Sequence, residues 1–313
     1  MKAVRFHGKH DIRVDQVPVP ACGSDEVLMR PAFTDLTEYQ NGPIICPTIP
    51  NSLTGETVPV TLGHEFSGTV EEVGANIKDI AIGDHVVVQP FRADNTCEHC
   101  AKGLFTFCPN MAIFGLHGAG GGLSEKIAVP RKNIFKLPKS IPLDVGALVE
   151  PLAVGYHGVR ISEFRAGDSA LIFGAGPIGL ALVCELKARG AGTIIVSTGS
   201  QKRLEMAQEF GAHYVVDRSR EDVAKRCLEV TNGSGVGYVF DTAGVQETVD
   251  TAVAVLKPRG TFVNLAVWSE KMALDPNVWL FRELKYIQSM AYQDEDFEGV
   301  IKALADGKWT IQY

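Results

Sequence analysis

ALIFGAGPIGLALV, residues 170–183, sets an apolar run against glycines at 174, 176 and 179. The Gly-x-Gly-x-x-Gly spacing is weak by itself, but here it follows a β-type run and opens a helical one. In that context each glycine has a physical role. Gly174 permits a tight turn, Gly176 lets backbone approach a pyrophosphate, and Gly179 lets helix and strand pack closely. Gly174, Gly176, Pro177, Ile178 and Gly179 are therefore the candidate pyrophosphate loop. A glycine-rich turn without a ligand is the other reading, and the surrounding chain argues against it.

Outward from this stretch, SALIFGAG, GTIIVS, HYVVD, GYVFDTAG and TFVNLAVW read as strands spaced by helical segments such as PIGLALVCELKARG and VQETVDTAVAVL. Such alternation predicts a parallel sheet covered on both faces, an α/β nucleotide-binding domain over 153–288. Residues 1–152 have a different texture. Short alternating runs (AVRFHG, EVLMRPAF, FSGTVEEVG, DHVVVQP, EKIAVP, NIFKLP) separated by Gly, Pro and Asn predict an antiparallel β-rich domain with few helices. Residues 289–313 close the chain with the amphipathic DEDFEGVIKALADGK and then WTIQY.

An NAD-binding unit carries an acidic residue about 20 positions after its glycine loop, for the ribose 2′-hydroxyl. No Asp or Glu lies between Glu185 and Glu205; the place reads VSTGSQKR, with Thr198 where the carboxylate should stand. Hydroxyls at Ser197, Thr198 and Ser200 and cations at Lys202 and Arg203 suit a 2′-phosphate, hence NADP(H). The two cations also read simply as solvated residues at a helix start. At the carboxyl ends of later strands, where open α/β sheets bind ligands, Thr242, Ala243, Leu265, Ala266 and Val267 are candidates for nicotinamide contact.

The stretch ADNTCEHCAKGLFTFCPN places Asp94, Cys97, Cys100 and Cys108 at spacings that suit a closed, structural tetrahedral zinc site. Four further cysteines are scattered, and Cys184 and Cys227 read as small core residues on helices. In TLGHEFSG, residues 61–68, His64 and Glu65 stand side by side: metal ligands, an acid/base pair, or polar residues on a turn. The pair alone does not decide between these.

Composition narrows the classes. The 313 residues allow two domains, and a formal charge of −7 with 21% charged residues lacks the basic stripe of a nucleic-acid or anionic-membrane binder. The segment MKAVRFHGKHDIRV has no apolar signal core, and no apolar run is long enough to span a bilayer. The expected setting is the cytoplasm and the expected partner a small molecule.

Together these segments, with GAGGGLSEKIAVP and ALVEPLAVGYHGVR, resemble the zinc-dependent medium-chain dehydrogenases, most closely the butanediol and sorbitol dehydrogenase branch. The resemblance covers nearly the whole chain. It implies a GroES-like β domain and a Rossmann domain, with substrate and nicotinamide meeting in the cleft between them. It also implies that His64, Glu65 and Glu150 match catalytic-zinc ligands or their near neighbours, and that Thr34 matches a proton-relay hydroxyl. Two departures accompany the resemblance. The family's ligand cysteine sits in a Cys-Gly-Ile-Cys-Gly segment, and here Phe33 runs straight into Thr34, with Thr37 where a relay histidine would be. The family's final strand and helix also have no counterpart after DGKWTIQY.

Three chemistries are left open. The first is an NADP(H)-dependent reductase or dehydrogenase with altered or absent catalytic zinc, acting on a ketone/alcohol pair or an activated alkene or iminium. The second is non-redox acid/base catalysis such as isomerisation, cyclisation or elimination, with Glu65 and Glu150 as close like charges and Thr34 and Tyr39 completing a proton path. The third is a fold kept for binding without turnover. Relatives of this type pair through a Rossmann edge strand, which makes KYIQSM the expected seam of a homodimer or homotetramer.

Overall fold

Buried residues do not alternate strictly along the strands of the first unit: in β1 (Lys2–Gly8) they are Ala3 and Phe6, three positions apart. The computed structural model describes residues 1–34 and 46–309. β2 (Asp11–Gln16), β1 and β4 (Val60–Thr61) form one sheet, in the order β2-β1-β4. β3 (Glu26–Thr34), β5 (Phe66–Val73), β6 (His85–Val88), β9 (Ile127–Pro130) and β10 (Ile134–Lys136) form a second, ordered β10-β6-β5-β3-β9. β7 (Phe91–Arg92) and β8 (Ala112–Ile113) make a small ribbon around the cysteine lobe, which carries the short α1 (Glu98–Ala101). All these pairings are antiparallel. Val27, Met29, Phe66, Val70, Val86, Val88, Ile127 and Val129 fill the core.

α2 (Leu143–Ala147) docks on β5, because Ser67 Oγ donates to Leu143 O and Gly146 leaves no room for a side chain against Leu137 and Ser67. It is followed at once by α3 (Val149–Ile161), which brings Glu150 to its place. His157 lies on α3, is 8% exposed, and is 3.2 Å from the Arg160 guanidinium.

The second unit alternates β11 (Ser169–Phe173), α4 (Pro177–Ala188), β12 (Thr193–Thr198), α5 (Gln201–Phe210), β13 (Tyr214–Asp217), α6 (Val223–Val230), β14 (Val236–Asp241), α7 (Gln246–Val255), β15 (Leu256–Asn264), α8 (Pro276–Phe281) and β16 (Lys285–Gln288). Every pairing is parallel, in the order β13-β12-β11-β14-β15-β16. Two neighbours in β11 show why its strands read as nearly continuous apolar runs. Leu171 enters a cluster with Val239, Phe262 and Trp279, while Ile172 enters the opposite one with Leu182, Val196 and Phe240. Each such fully buried side chain contributes roughly 1.5–3 kcal/mol. Cys184 and Cys227 are buried on α4 and α6.

The units divide inside α3: the first is Met1–Glu150 with Gln293–Ala305, and the second runs from Pro151 to Tyr292 and resumes at Asp306. The closing amphipathic stretch forms α9 (Asp294–Ala305), which clusters with the first unit. The reason is a buried apolar face: Phe297, Val300 and Ile301 are buried, and Phe297 packs 4.9 Å from the ring of Phe135. Among the described residues no helix is long and apolar enough to cross a membrane.

Within the glycine loop a Cβ on Gly179 would lie 2.2 Å from Gly174 O, whereas one on Gly176 would meet nothing within 4 Å. Gly179→Ala should therefore cost roughly 1–3 kcal/mol of stability, read as a lowered thermal midpoint, while Gly176→Ala keeps the wild-type midpoint. Equal midpoints for Gly179→Ala and wild type would refute the tight helix–strand contact.

Candidate active site, metal lobe and nucleotide loop

His64 and Glu65 sit on the turn between β4 and β5. Gly63 adopts φ +93°, a left-handed conformation, and its carbonyl accepts from Gly122 N at 2.7 Å while Leu62 O accepts from Leu123 N at 2.9 Å. Gly115 supports the turn from another side, since a Cβ there would come 2.8 Å from His64 N. The run HGAGGG at 117–122 is thus a scaffold for His64, a role not apparent from its composition.

This turn and the start of α3 bring His64, Glu65 and Glu150 together, with one ligand-capable atom from each within 4.8 Å of the others. Both carboxylates are about 95% buried, at 4% and 5% exposure, and His64 Nε2 is 3.6 Å from Glu65 Oε1. An imidazole and two carboxylates at this separation suit a divalent cation such as zinc, in a set harder than one containing a thiolate. Cys46 does not join the group; it is buried, and burial pushes its thiol up to about 11. Thr34, the last residue of β3, pairs with Phe66, and a Cβ on either Gly63 or Gly122 would lie 2.7 Å from its Oγ1. Its hydroxyl therefore lies beside the His64 turn. Thr37 and Tyr39 lie outside the described residues.

Asp94, Cys97, Cys100 and Cys108 also converge, again with their ligand atoms within 4.8 Å. Cys97 Sγ is 3.5 Å from Cys100 Sγ, and Asp94 Oδ1 is 3.4 Å from Cys108 Sγ and 4.0 Å from Cys100 Sγ. A tetrahedron with zinc–sulfur bonds of about 2.3 Å has edges of roughly 3.8 Å, so these residues fit zinc. Thr96 N and the Asn110 amide donate to Asp94 and bring its carboxyl down to about 2, which keeps it an anion at any working pH. The backbone N–H of Cys100 lowers the Cys97 thiol, whereas burial pushes Cys108 up to about 11. A metal bound here would displace the remaining thiol protons.

In the nucleotide loop Gly174 takes φ +95° and its N–H donates to Ser197 O at 2.9 Å, tying the turn to β12. Gly176 is the N-cap of α4 and Pro177 its first residue; Pro177 is exposed, Ile178 half-buried. Ser197 and Thr198 are buried at the carboxyl end of β12, and Ser200 is the N-cap of α5, although its side chain makes no capping bond. Lys202 and Arg203 are exposed in the first turn of that helix, which holds no acidic residue.

At the end of β14, Thr242 Oγ1 donates to Phe173 O at 2.7 Å, which locks the turn onto the glycine loop. The turn is shaped by Asp241, fully buried, whose carboxylate accepts from Ala243 N at 2.9 Å, Gly244 N at 3.1 Å and Thr248 Oγ1 at 3.0 Å. Burial raises its pKa and those donors pull it back. Asn264 has the equivalent role after β15. It bonds Ala266 O at 3.0 Å and Ala266 N at 3.2 Å, holding Leu265 and Ala266 half-buried and Val267 93% exposed. Neither support is visible in the sequence, where an acid or amide at a strand end has no signal of its own.

Comparison with known proteins agrees with this architecture. Residues 8–139 match the alcohol dehydrogenase GroES-like domain and residues 177–306 the zinc-binding dehydrogenase domain. An (R,R)-butanediol dehydrogenase of Neisseria gonorrhoeae is 39% identical over 320 aligned residues, spanning 100% of this chain and 90% of that protein. The crystal structure of 2R,3R-butanediol dehydrogenase from Bacillus subtilis superposes with a TM-score of 0.91 at 36% identity, covering 98% of this chain and 88% of that one. A zinc-binding dehydrogenase of Sinorhizobium meliloti 1021, solved bound to NADP, gives 0.86 at 34% identity, with 99% and 90% covered. The chain belongs to the zinc-type alcohol dehydrogenase family, medium-chain oxidoreductases with a GroES-like domain and a Rossmann domain.

Metal analysis after exposure to a weak chelator tests the cysteine lobe. Zinc should be retained by the wild type and lost from Cys100→Ala, with the segment 94–108 becoming sensitive to protease. A chain purified without chelators and free of zinc would overturn the assignment.

Proposed function

We propose that the chain is an NADP(H)-dependent oxidoreductase that moves hydride between the nicotinamide and a small alcohol or ketone, with a catalytic metal site reduced to nitrogen and oxygen ligands. The observation that carries this reading is that one chain holds both a complete glycine loop and the convergent His64, Glu65 and Glu150 group. The butanediol specificities of the two named relatives make a vicinal diol, or its hydroxyketone, the first substrate to test.

The nucleotide's pyrophosphate meets the N–H groups at the start of α4, where Gly176 leaves backbone open to it. At the ribose, the neutral Thr198 replaces the carboxylate that would repel a 2′-phosphate. Lys202 and Arg203 at the start of α5 oppose the helix dipole, an unfavourable placement that a bound anion relieves. Zinc held by His64, Glu65 and Glu150 would supply Lewis-acid polarisation of the substrate oxygen. The protein's own share is to hold those three groups together and to pass the substrate proton through the Thr34 hydroxyl beside them. Asp94, Cys97, Cys100 and Cys108 would hold a second zinc that fixes the lobe and takes no part in the reaction.

Two measurements decide the reading. Titration should give tighter binding of NADPH than of NADH, and NADPH should be consumed one for one with product. Turnover without cofactor would instead support acid/base catalysis. His64→Ala should lower kcat/KM by about 10²-fold or more, and unchanged turnover in that variant would remove both the metal and the acid/base roles of the pair.

We also propose self-association through β16, an edge strand with exposed apolar neighbours: Leu280 is 68% exposed and Phe281 82%. Light scattering should show a dimer or tetramer that Phe281→Glu shifts toward monomer. A monomeric wild type at micromolar concentration would reject this seam.

A further inference from the structure

Gly199 follows β12, just before the N-cap of α5. A side chain there would come into van der Waals contact with a residue from another strand end. A Cβ built on Gly199 would lie 3.6 Å from Nε and 3.8 Å from Cγ of Arg218, which follows β13. Its backbone is fastened to the same turn, since Arg218 N donates to Thr198 O at 3.2 Å.

The guanidinium is weakly committed. Asp217, next to it, is engaged elsewhere: it accepts from Ser219 N and Ser219 Oγ and pairs with Arg220 at 3.3 Å. The ion partner of Arg218 among the described residues is Glu247, 3.9 Å away, with side-chain exposures of 49% and 69%. A pair that long and that exposed contributes little and yields readily to a better anion. Arg218 thus approaches the 198–200 turn from the β13 side, while Lys202 and Arg203 follow it along the chain.

Resting on the NADP(H) reading above, we propose that Arg218 is a specificity-determining residue for the cofactor. Its guanidinium, lying over Gly199, grips the 2′-phosphate of NADP(H) and gives up Glu247 when the phosphate arrives. A planar fork of donors suits phosphate oxygens better than the point charge of lysine. The alternative for an arginine in this place is stacking on the adenine ring, which would serve NADH and NADPH alike.

Calorimetric titration of the full chain with NADPH, NADH, 2′,5′-ADP and 5′-AMP separates these cases. In Arg218→Ala the affinities for NADPH and 2′,5′-ADP should fall roughly tenfold or more, while those for NADH and 5′-AMP stay as in wild type. Arg218→Lys should recover part of the loss. Equal weakening of all four ligands, or of none, overturns the proposal. If wild type prefers NADPH and Arg218→Ala keeps that preference, Arg218 alone is excluded and the phosphate belongs to Lys202 and Arg203. If wild type binds NADH as tightly as NADPH, the NADP(H) reading fails and this inference with it.

Discussion

Close approach of backbone to backbone, possible only where a side chain is missing, is the constraint on which both candidate sites depend. In the first unit, Gly63 and Gly122 share a hydrogen bond at 2.7 Å while Gly115 presses on the peptide before His64. In the second, Gly179 packs on the carbonyl of Gly174, and Gly174 is tied to β12. Added side chains would push these strands and turns apart, and the functional groups ride on those turns. His64 and Glu65 hang from one; the candidate pyrophosphate loop is the other.

Around these turns the polar groups are divided by duty. Asp241 and Asn264 spend their hydrogen-bonding capacity on the protein's own backbone, shaping the strand ends near residues 242–244 and 265–267. The His64, Glu65 and Glu150 group carries two buried acids, whose charge has to be met locally. At the end of β12 the charge balance is reversed. Hydroxyls and cations flank Gly199 along the chain, Arg218 lies against it, and the carboxylate preceding Arg218, Asp217, is already occupied. The two candidate sites thus differ in the sign of their charge and belong to different units.

Much of this was legible in sequence. The period-2 runs of the first unit and the alternation of the second predicted antiparallel and parallel sheets, and the strand order that reverses between β11 and β14 is the one the glycine loop implies. The convergence of Asp94, Cys97, Cys100 and Cys108 was legible because thiol spacing within one loop survives as spatial proximity. Glu150 was reached only through family resemblance, because 85 positions separate it from Glu65 and no periodicity links a helix start to a β turn. The attachment of α9 to the first unit was not legible either. Its apolar face announces burial without naming the surface that buries it.

The sequence by itself determined local matters: which stretches become strands or helices, where the backbone must lack a side chain, and that no carboxylate lies between Glu185 and Glu205. Tertiary structure decided what depends on residues distant in the chain. The glycine run at 117–122 acquired its purpose only when folded beneath His64, and Arg218 its place only when β13 paired with β12 and set it over Gly199. Local propensity and spacing act over a few residues, whereas strand pairing brings together groups that no short-range pattern connects.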